Sequence, residues 1–237
     1  MKAIHVPDIN ARYWAGITMA SVFGTNMGDY YAHESGLGLI GGLWVLAAIV
    51  AVAYVAERFD ERKHQLWYWL AIIVIRTGAT NIADYLSFRV RLNMIGLCVG
   101  LAVLIAVMAW RPRAQQRKGL PQTDARYWIA MLAAGVFGTV LGDVCSHAVG
   151  EGVASLILGG LLAAVLLLGR KGLTQMLYYY WLTVAIARTA GTAIGDWLAE
   201  SRALNIGLPT ATLITGAVFL AVLLLWRSGA RREPAAA

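Results

Sequence analysis

The chain of 237 residues is too apolar for an ordinary soluble domain, because 59% of it is hydrophobic and 14% is charged, whereas soluble domains are roughly half apolar and a quarter charged. The formal net charge is +7. The basic residues nevertheless fall in short segments between apolar stretches and form no continuous patch, which excludes nucleic acid as a partner. We therefore expect an integral membrane protein whose partner is the lipid bilayer.

Eight apolar segments are long enough to cross a bilayer, which needs roughly 20 residues per helix. In chain order they are Tyr13–Tyr31, Leu37–Ala56, Leu66–Leu86, Asn93–Trp110, Tyr127–Ser146, Val153–Gly169, Met176–Leu198 and Ile206–Trp226. Aromatic residues stand at most of their ends, and such rings favour the headgroup level of a membrane. The predicted fold class is all-α and integral to the membrane, with eight transmembrane helices.

Basic residues are distributed unequally between the two sets of connections. Eight spans place both termini on one side, which holds 15 Lys and Arg residues, against three on the other side, namely Arg89, Arg91 and Arg202. Because basic connections favour the cytoplasm, both termini are predicted to be cytoplasmic.

The longest polar connection divides the chain into two halves. Residues 1–112 are predicted to form the first half with four spans, and residues 127–228 the second half with four more. Residues 113–126 would be a cytoplasmic linker, and residues 229–237 a cytoplasmic tail. Cys98 and Cys145 lie in or beside apolar segments, so no disulfide framework is expected.

A Trp-to-Asp spacing recurs four times. Each Tyr-Trp pair is followed, fifteen positions after the Trp, by an Asp; the pairs are Trp14 and Asp29, Trp69 and Asp84, Trp128 and Asp143, and Trp181 and Asp196. A Thr stands four positions before each Asp, at Thr25, Thr80, Thr139 and Thr192. Such self-similarity indicates duplicated units. We expect four parallel tandem hairpins of two spans each, arranged as two pseudo-symmetric halves.

The four copies form two unequal pairs. Copies one and three share Phe-Gly-Thr-x-x-Gly-Asp, at residues 23–29 and 137–143, and each has a His four residues after the Asp. Copies two and four instead share an Arg-Thr pair, which begins at Arg76 and Arg188. This pattern indicates a hairpin that was duplicated, diverged, and was duplicated again.

The Trp-to-Asp repeat resembles a bacterial family of uncharacterised membrane proteins that is defined by four tandem repeats of unknown function. Each of those repeats has two transmembrane segments and a tryptophan. The resemblance runs from about Tyr13 to Trp226. It implies an eight-helix membrane protein and carries no settled activity, so the function has to be inferred from the residues. We expect a multi-pass protein of the bacterial inner membrane.

The repeated acids lie deep along their helices, about 22 Å from the Trp at about 1.5 Å per residue. A Thr four positions before an Asp shares its helix face, and ionisable residues at such depth face a bundle interior or a water-filled cavity. Arg76 and Arg188, near mid-membrane, are expected to pair with aspartates or to change partners as ions or protons pass. The predicted ion path therefore comprises Asp29, Asp84, Asp143, Asp196, Thr25, Thr80, Thr139, Thr192, Arg76 and Arg188.

Two copies add a histidine that could share an ion with its aspartate. His33 follows Asp29 by four residues and His147 follows Asp143 by four, so each pair shares a helix face. Mixed nitrogen and oxygen ligation suits Mn²⁺, Fe²⁺, Co²⁺, Ni²⁺ or Zn²⁺, and the pseudo-two-fold relation of copies one and three would gather both pairs. The predicted metal ligands are therefore Asp29, His33, Asp143 and His147. The metal would be a substrate, and no resident cofactor is predicted.

The leading hypothesis is a transporter or channel for a small cation, with a divalent transition metal as the favoured substrate and no catalytic residues. A membrane-embedded metal-dependent enzyme or sensor is the alternative, although no HExxH, serine nucleophile elbow or Walker loop occurs. A structural protein whose Asp/Arg network only fixes helix packing is a further alternative. An anion transporter is disfavoured because four carboxylates would repel the substrate. The ion, the direction of transport and a homo-oligomeric state stay open.

Overall fold

The computed structural model describes residues 7–59, 65–110, 123–169 and 177–230, and within them the chain is all-α, with eight α-helices. Each predicted segment corresponds to one helix. Of the predicted connections, residues 113–122 of the linker and 231–237 of the tail lie outside the described residues. The helices are α1 (Ala11–Asp29), α2 (Gly38–Phe59), α3 (Leu66–Asp84), α4 (Met94–Ala109), α5 (Ala125–Val149), α6 (Glu151–Gly169), α7 (Leu177–Glu200) and α8 (Leu208–Ala230).

Two equivalent helices begin with the same side-chain cap. The Asn10 side chain accepts hydrogen bonds from the backbone N–H groups of Arg12 and Tyr13 at the start of α1, and Asp124 accepts one from the N–H of Tyr127 at the start of α5. Asn and Asp are favoured at this position because their oxygens satisfy N–H groups that have no partner within the helix. The caps fix the repeated tyrosine in the first turn of both helices.

The helices that carry the Tyr-Trp pairs form a closed inner ring of α1, α3, α5 and α7. In this ring α1 packs against α3 and α7, and α5 packs against the same two helices. Each outer helix packs on the first helix of the next repeat: α2 on α3, α4 on α5, α6 on α7, and α8 back on α1. The last outer helix, α8, therefore packs back on the first inner helix, so that the outer helices link the inner ring all the way around.

Glycines let the inner helices approach each other closely. A Cβ atom at Gly138 would lie 2.7 Å from the backbone carbonyl carbon of Arg188, and one at Gly28 would lie 2.7 Å from the Cβ of Thr80. Side chains do not tolerate such distances, whereas small residues allow helix backbones to come together in a membrane. The glycines beside the repeated aspartates therefore serve to pack the inner ring.

Four stretches of the described residues are long and apolar enough to cross a membrane, namely Leu66–Arg89, Ala125–Val149, Glu151–Gly169 and Gly207–Leu225. The outer helices also carry large exposed apolar side chains, such as Leu156 (78% exposed) and Leu213 (75%). Apolar surface of this extent indicates contact with lipid. The helices α1 and α7 are not among these stretches, and several of their polar side chains, such as Thr25 and Arg188, are buried in the bundle. These features agree with a membrane protein.

Candidate functional site

The inner ring surrounds a central axis on which equivalent residues recur at every fourth position. Four residues advance about 6 Å along a helix, so these positions form layers stacked along the axis. From one end to the other we name them the tyrosine layer (Tyr13, Tyr68, Tyr127, Tyr180), the apolar layer (Ile17, Ile72, Met131, Val184), the arginine layer (Ser21, Arg76, Gly135, Arg188), the threonine layer (Thr25, Thr80, Thr139, Thr192) and the aspartate layer (Asp29, Asp84, Asp143, Asp196).

The four hydroxyl groups of the tyrosine layer form a closed hydrogen-bonded ring. The oxygen of Tyr13 lies 2.8 Å from that of Tyr68 and 2.6 Å from that of Tyr180. The oxygen of Tyr127 lies 2.8 Å from that of Tyr68 and 2.9 Å from that of Tyr180. Because a phenol can donate one hydrogen bond and accept another, all four hydroxyls are satisfied without water.

The tryptophan of each copy packs against the tyrosine of the preceding copy, and that of the first copy packs against the tyrosine of the fourth. The ring centroids of Trp69 and Tyr13 are 5.9 Å apart, and those of Trp14 and Tyr180 are 5.7 Å apart. The same relation joins Trp128 to Tyr68 at 6.0 Å and Trp181 to Tyr127 at 5.5 Å. The aromatic contacts therefore run once around the ring in the order of the repeats.

The two layers at this end are fully buried. All four tyrosines are at most 1% exposed, and the apolar layer beneath them is 0% exposed. The aromatic residues at helix ends were predicted to be anchors at the headgroup level; for these tyrosines that prediction is wrong, because their hydroxyls pair with one another inside the bundle. In this structure the tyrosine and apolar layers close the axis at one end.

Arg76 is held by the whole threonine layer. Its Nη1 atom donates to Thr80 (2.8 Å) and Thr139 (2.9 Å), and its Nη2 atom donates to Thr25 (2.5 Å) and Thr192 (2.6 Å). The four terminal N–H bonds of the guanidinium thus find one hydroxyl on each inner helix. The expected aspartate partner is replaced by threonine because the threonine layer is one turn from Arg76, whereas the aspartate layer is two turns away.

Arg188 comes from the opposite helix and extends toward the other end of the axis. It is 0% exposed, and it donates to the Ser21 hydroxyl at 3.3 Å and to the Met131 sulfur at 3.2 Å. Met131 belongs to the apolar layer, so the two guanidinium groups diverge from a common layer. Their like charges are thereby kept apart, and the small residues Ser21 and Gly135 occupy the same layer on the other two helices.

The four predicted aspartates do lie together, one turn beyond the threonines. Asp29 interacts electrostatically with Asp84 and Asp143, and Asp196 interacts with Asp29 and Asp143. Asp84 is 7% exposed, and the other three are partly buried. Arg76 lies within electrostatic range of Asp29, Asp143 and Asp196. The arrangement concentrates four carboxyl groups at one end of the axis, with the guanidinium group of Arg76 beneath them.

The four predicted metal ligands, Asp29, His33, Asp143 and His147, are not brought together as one site. The Nδ1 atom of His147 lies 2.7 Å from the backbone carbonyl oxygen of Asp143, and His33 interacts electrostatically with Asp84 of the next copy. Among the described residues, no group of three or more His, Cys, Asp and Glu could hold a metal ion. The physical reason is that α1 and α5 stand on opposite sides of the ring, with both histidines exposed at its edge.

Comparison with known proteins adds a family likeness without an activity. Residues 12–63 and 179–231 match the family model described as a Repeat of Unknown Function (DUF347). These stretches contain α2, α8 and most of α1 and α7, and they support an uncharacterised repeat family. No curated protein and no solved structure matches the chain.

Proposed function

We propose that the chain is a membrane transport protein for a small cation, which enters the central axis at the aspartate layer. The observation that carries this proposal is the charge balance of the axis. Four carboxyl groups and two guanidinium groups, if all are ionised, leave two negative charges uncompensated. Uncompensated charge is costly inside a membrane, so protons or bound cations have to neutralise the two remaining negative charges.

Arg76 is the residue through which a cation would act. Its guanidinium group supplies positive charge beneath the carboxylates. An arriving cation would compete with this group for electrostatic attraction to the carboxylates. If Arg76 withdrew, the four threonine hydroxyls that now accept its hydrogen bonds would become oxygen ligands for the cation. Transport would further require the tyrosine and apolar layers to separate, so that the axis opens alternately to its two ends.

Divalent transition metals remain the first substrates to test. His33 lies near Asp84 and His147 near Asp143, which adds nitrogen donors at the edge of the aspartate layer. Mixed nitrogen and oxygen donors suit Mn²⁺, Fe²⁺, Co²⁺, Ni²⁺ and Zn²⁺. Because the described residues do not chelate such an ion in this conformation, a protein that moves protons or monovalent cations is the nearest variant of the same proposal.

The proposed topology has eight spans, arranged as four parallel hairpins in a bacterial inner membrane with cytoplasmic termini. Support comes from the inner ring, in which the four tyrosine hydroxyls meet at one end and the four carboxyl groups cluster at the other. The excess of basic residues on the side of the predicted spans where the Tyr-Trp pairs lie favours a cytoplasmic location for that end. The aspartate layer would then face the periplasm.

The deciding experiment is ion flux into proteoliposomes that contain the purified chain. Entrapped dyes would record Mn²⁺, Zn²⁺ and proton entry for the wild type, Asp29→Asn and Asp143→Asn, with Asp8→Asn as the control because Asp8 is exposed and outside the axis. We expect both axis variants to lower the flux at least tenfold and the control to leave it unchanged. Equal flux in all four proteins, or no flux above protein-free liposomes, would contradict the proposal.

A structural role for the axis is the second candidate, and the closed tyrosine end favours it. Here the layers only hold the helices in register, as buried polar groups do in membranes. The same axis variants would then lower stability in detergent while no ion crossed the bilayer in any of the four proteins.

A further inference from the structure

A cleft lies between the first and second repeats, beside the aspartate layer. Its volume is about 770 Å³, and it is lined by residues that include Leu37, Ile40 and His33 from the first repeat and Asp84, Phe88 and Arg89 from the second. Pockets that enclose drug-sized ligands have volumes of about 300 to 1,000 Å³. The cleft is therefore large enough for an organic molecule as well as for a metal ion.

Two π-helical turns break the four-fold repetition at this corner. They span Tyr30–Glu34, directly after Asp29, and Tyr85–Arg89, directly after Asp84. The helices α5 and α7 instead continue as regular α-helix past Asp143 and Asp196. Turns of this kind are rare and occur frequently at functional sites.

The second π-turn brings Arg89 to the same side as Asp84. In an α-helix two residues five positions apart point about 140° away from each other. The wider π-turn closes i to i+5 hydrogen bonds, as in the 3.0 Å contact between the Val90 N–H and the Tyr85 carbonyl, and it therefore returns to the same face after five residues. Both Asp84 and Arg89 line the cleft.

The two charges of the cleft are available to a ligand. Asp84 is 7% exposed and Arg89 is exposed, and among the described residues no hydrogen bond or ion pair joins them. A buried carboxylate without a charged partner at bonding distance favours a cation beside it. The guanidinium of Arg89 likewise offers several donors to a carboxylate or phosphate.

The remaining wall of the cleft is apolar and incompletely covered. Phe88 is 58% exposed, Ile40 59% and Leu37 44%. Such side chains would gain by burial against an apolar ligand, at about 25 cal/mol for each Å² removed from water. The wall therefore complements a molecule that has an apolar body besides its charged groups.

We propose that this cleft binds a zwitterion with an apolar body, its ammonium group on Asp84 and its carboxylate or phosphate on Arg89. A zwitterionic lipid and a soluble zwitterion share this chemistry. Copy two alone has the required pair, because Glu34, Ala148 and Ser201 stand at the position of Arg89 in the other copies. The site goes beyond cation transport and does not depend on it.

The test measures binding of three probes to the full chain in detergent by native mass spectrometry and isothermal calorimetry. Lysophosphatidylethanolamine carries ammonium, phosphate and an apolar chain; lysophosphatidylglycerol lacks the ammonium group; phosphoethanolamine lacks the chain. We expect the wild type to prefer the ethanolamine lipid over the glycerol lipid by on the order of tenfold, the value of one charge-assisted hydrogen bond. Tight binding of phosphoethanolamine would identify a soluble ligand, and its absence a lipid.

Three variants test whether the cleft is responsible for the preference for the ethanolamine lipid. Asp84→Asn should abolish the preference for the ethanolamine lipid, and Arg89→Gln should weaken both lipids. Asp8→Asn, at an exposed acid outside the axis and outside the cleft lining, should leave the preference intact. A preference that is absent in the wild type or survives in Asp84→Asn would overturn the proposal, and so would an Arg89→Gln protein that binds both lipids as tightly as the wild type. Because Arg89 is exposed, Arg89→Gln decides the matter even if Asp84→Asn fails to fold, and binding without ion flux would refute only the transport proposal.

Discussion

The hydroxyl oxygens of Tyr13 and Tyr180 lie 2.6 Å apart, although the two residues are 167 positions apart in the chain. This contact joins the first repeat to the last and completes the ring of four tyrosines. Trp14 packs on Tyr180 at the same junction, with 5.7 Å between the ring centroids. The first and fourth copies are therefore neighbours in the same sense as the first and second, and the inner ring has no open edge.

The tyrosine ring should stabilise the bundle cooperatively. Tyr13→Phe removes two hydrogen bonds and leaves the hydroxyls of Tyr68 and Tyr180 with one ring neighbour each. We expect the free energy of unfolding to fall by about 1–3 kcal/mol, the usual cost of unpaired buried groups. Reversible unfolding in mixed micelles would measure it, with Tyr85→Phe (40% exposed) as the control; similar losses in both would argue against the ring.

The threonine layer should be needed to bury Arg76. Thr139→Val keeps the volume of a side chain that is 2% exposed, but it deprives Nη1 of the acceptor that lies at 2.9 Å. An unpaired N–H on a charged group should cost about 1–3 kcal/mol or more of stability. Thr18→Val is the matched control, because Thr18 lies on α1 outside the layers and is only partly buried. A Thr139→Val protein as stable as the control would mean that Arg76 finds another acceptor.

Close packing of α5 on α7 should depend on Gly138. Gly138→Ala would bring a methyl group to 2.7 Å from the carbonyl carbon of Arg188, whereas the same change at Gly160 meets nothing within 4 Å. The first substitution should cost about 1–3 kcal/mol through overpacking. The second should be neutral or stabilising by about 1 kcal/mol, because alanine favours a helix over glycine. Melting temperatures of the two variants in detergent give the comparison.

The proposed topology predicts the sidedness of cysteine labelling. After Cys98 and Cys145 are replaced by serine, single cysteines would be introduced at exposed positions: Asp8 and Ala125 beside the tyrosine layer, and Glu34 and Ala203 beyond the aspartate layer. In intact cells a membrane-impermeant maleimide should label only the second pair, and the first pair should react after permeabilisation. Labelling of one residue from each pair in intact cells would contradict eight spans with cytoplasmic termini.

Much of the local architecture follows from the sequence alone. Apolar length predicted eight helices, and the described residues contain all eight. The spacing of Thr and Asp predicted a shared helix face, and the four threonines do meet around Arg76. Even the tyrosine ring has a sequence signal, because each Tyr precedes its Asp by sixteen residues, a multiple of the four-residue step between layers.

Only the tertiary structure decided which helices meet. Spacing determines the height and face of a residue on its own helix, but contacts such as that between Arg76 and Thr192, 116 positions apart, arise from the closing of the ring. That closure placed α1 opposite α5 and left His33 and His147 exposed at the edge of the ring, so the two Asp/His pairs predicted to share a metal do not form one site among the described residues. It also turned the tyrosines inward, because four hydroxyls that satisfy one another can be buried at little cost, whereas each alone would need water.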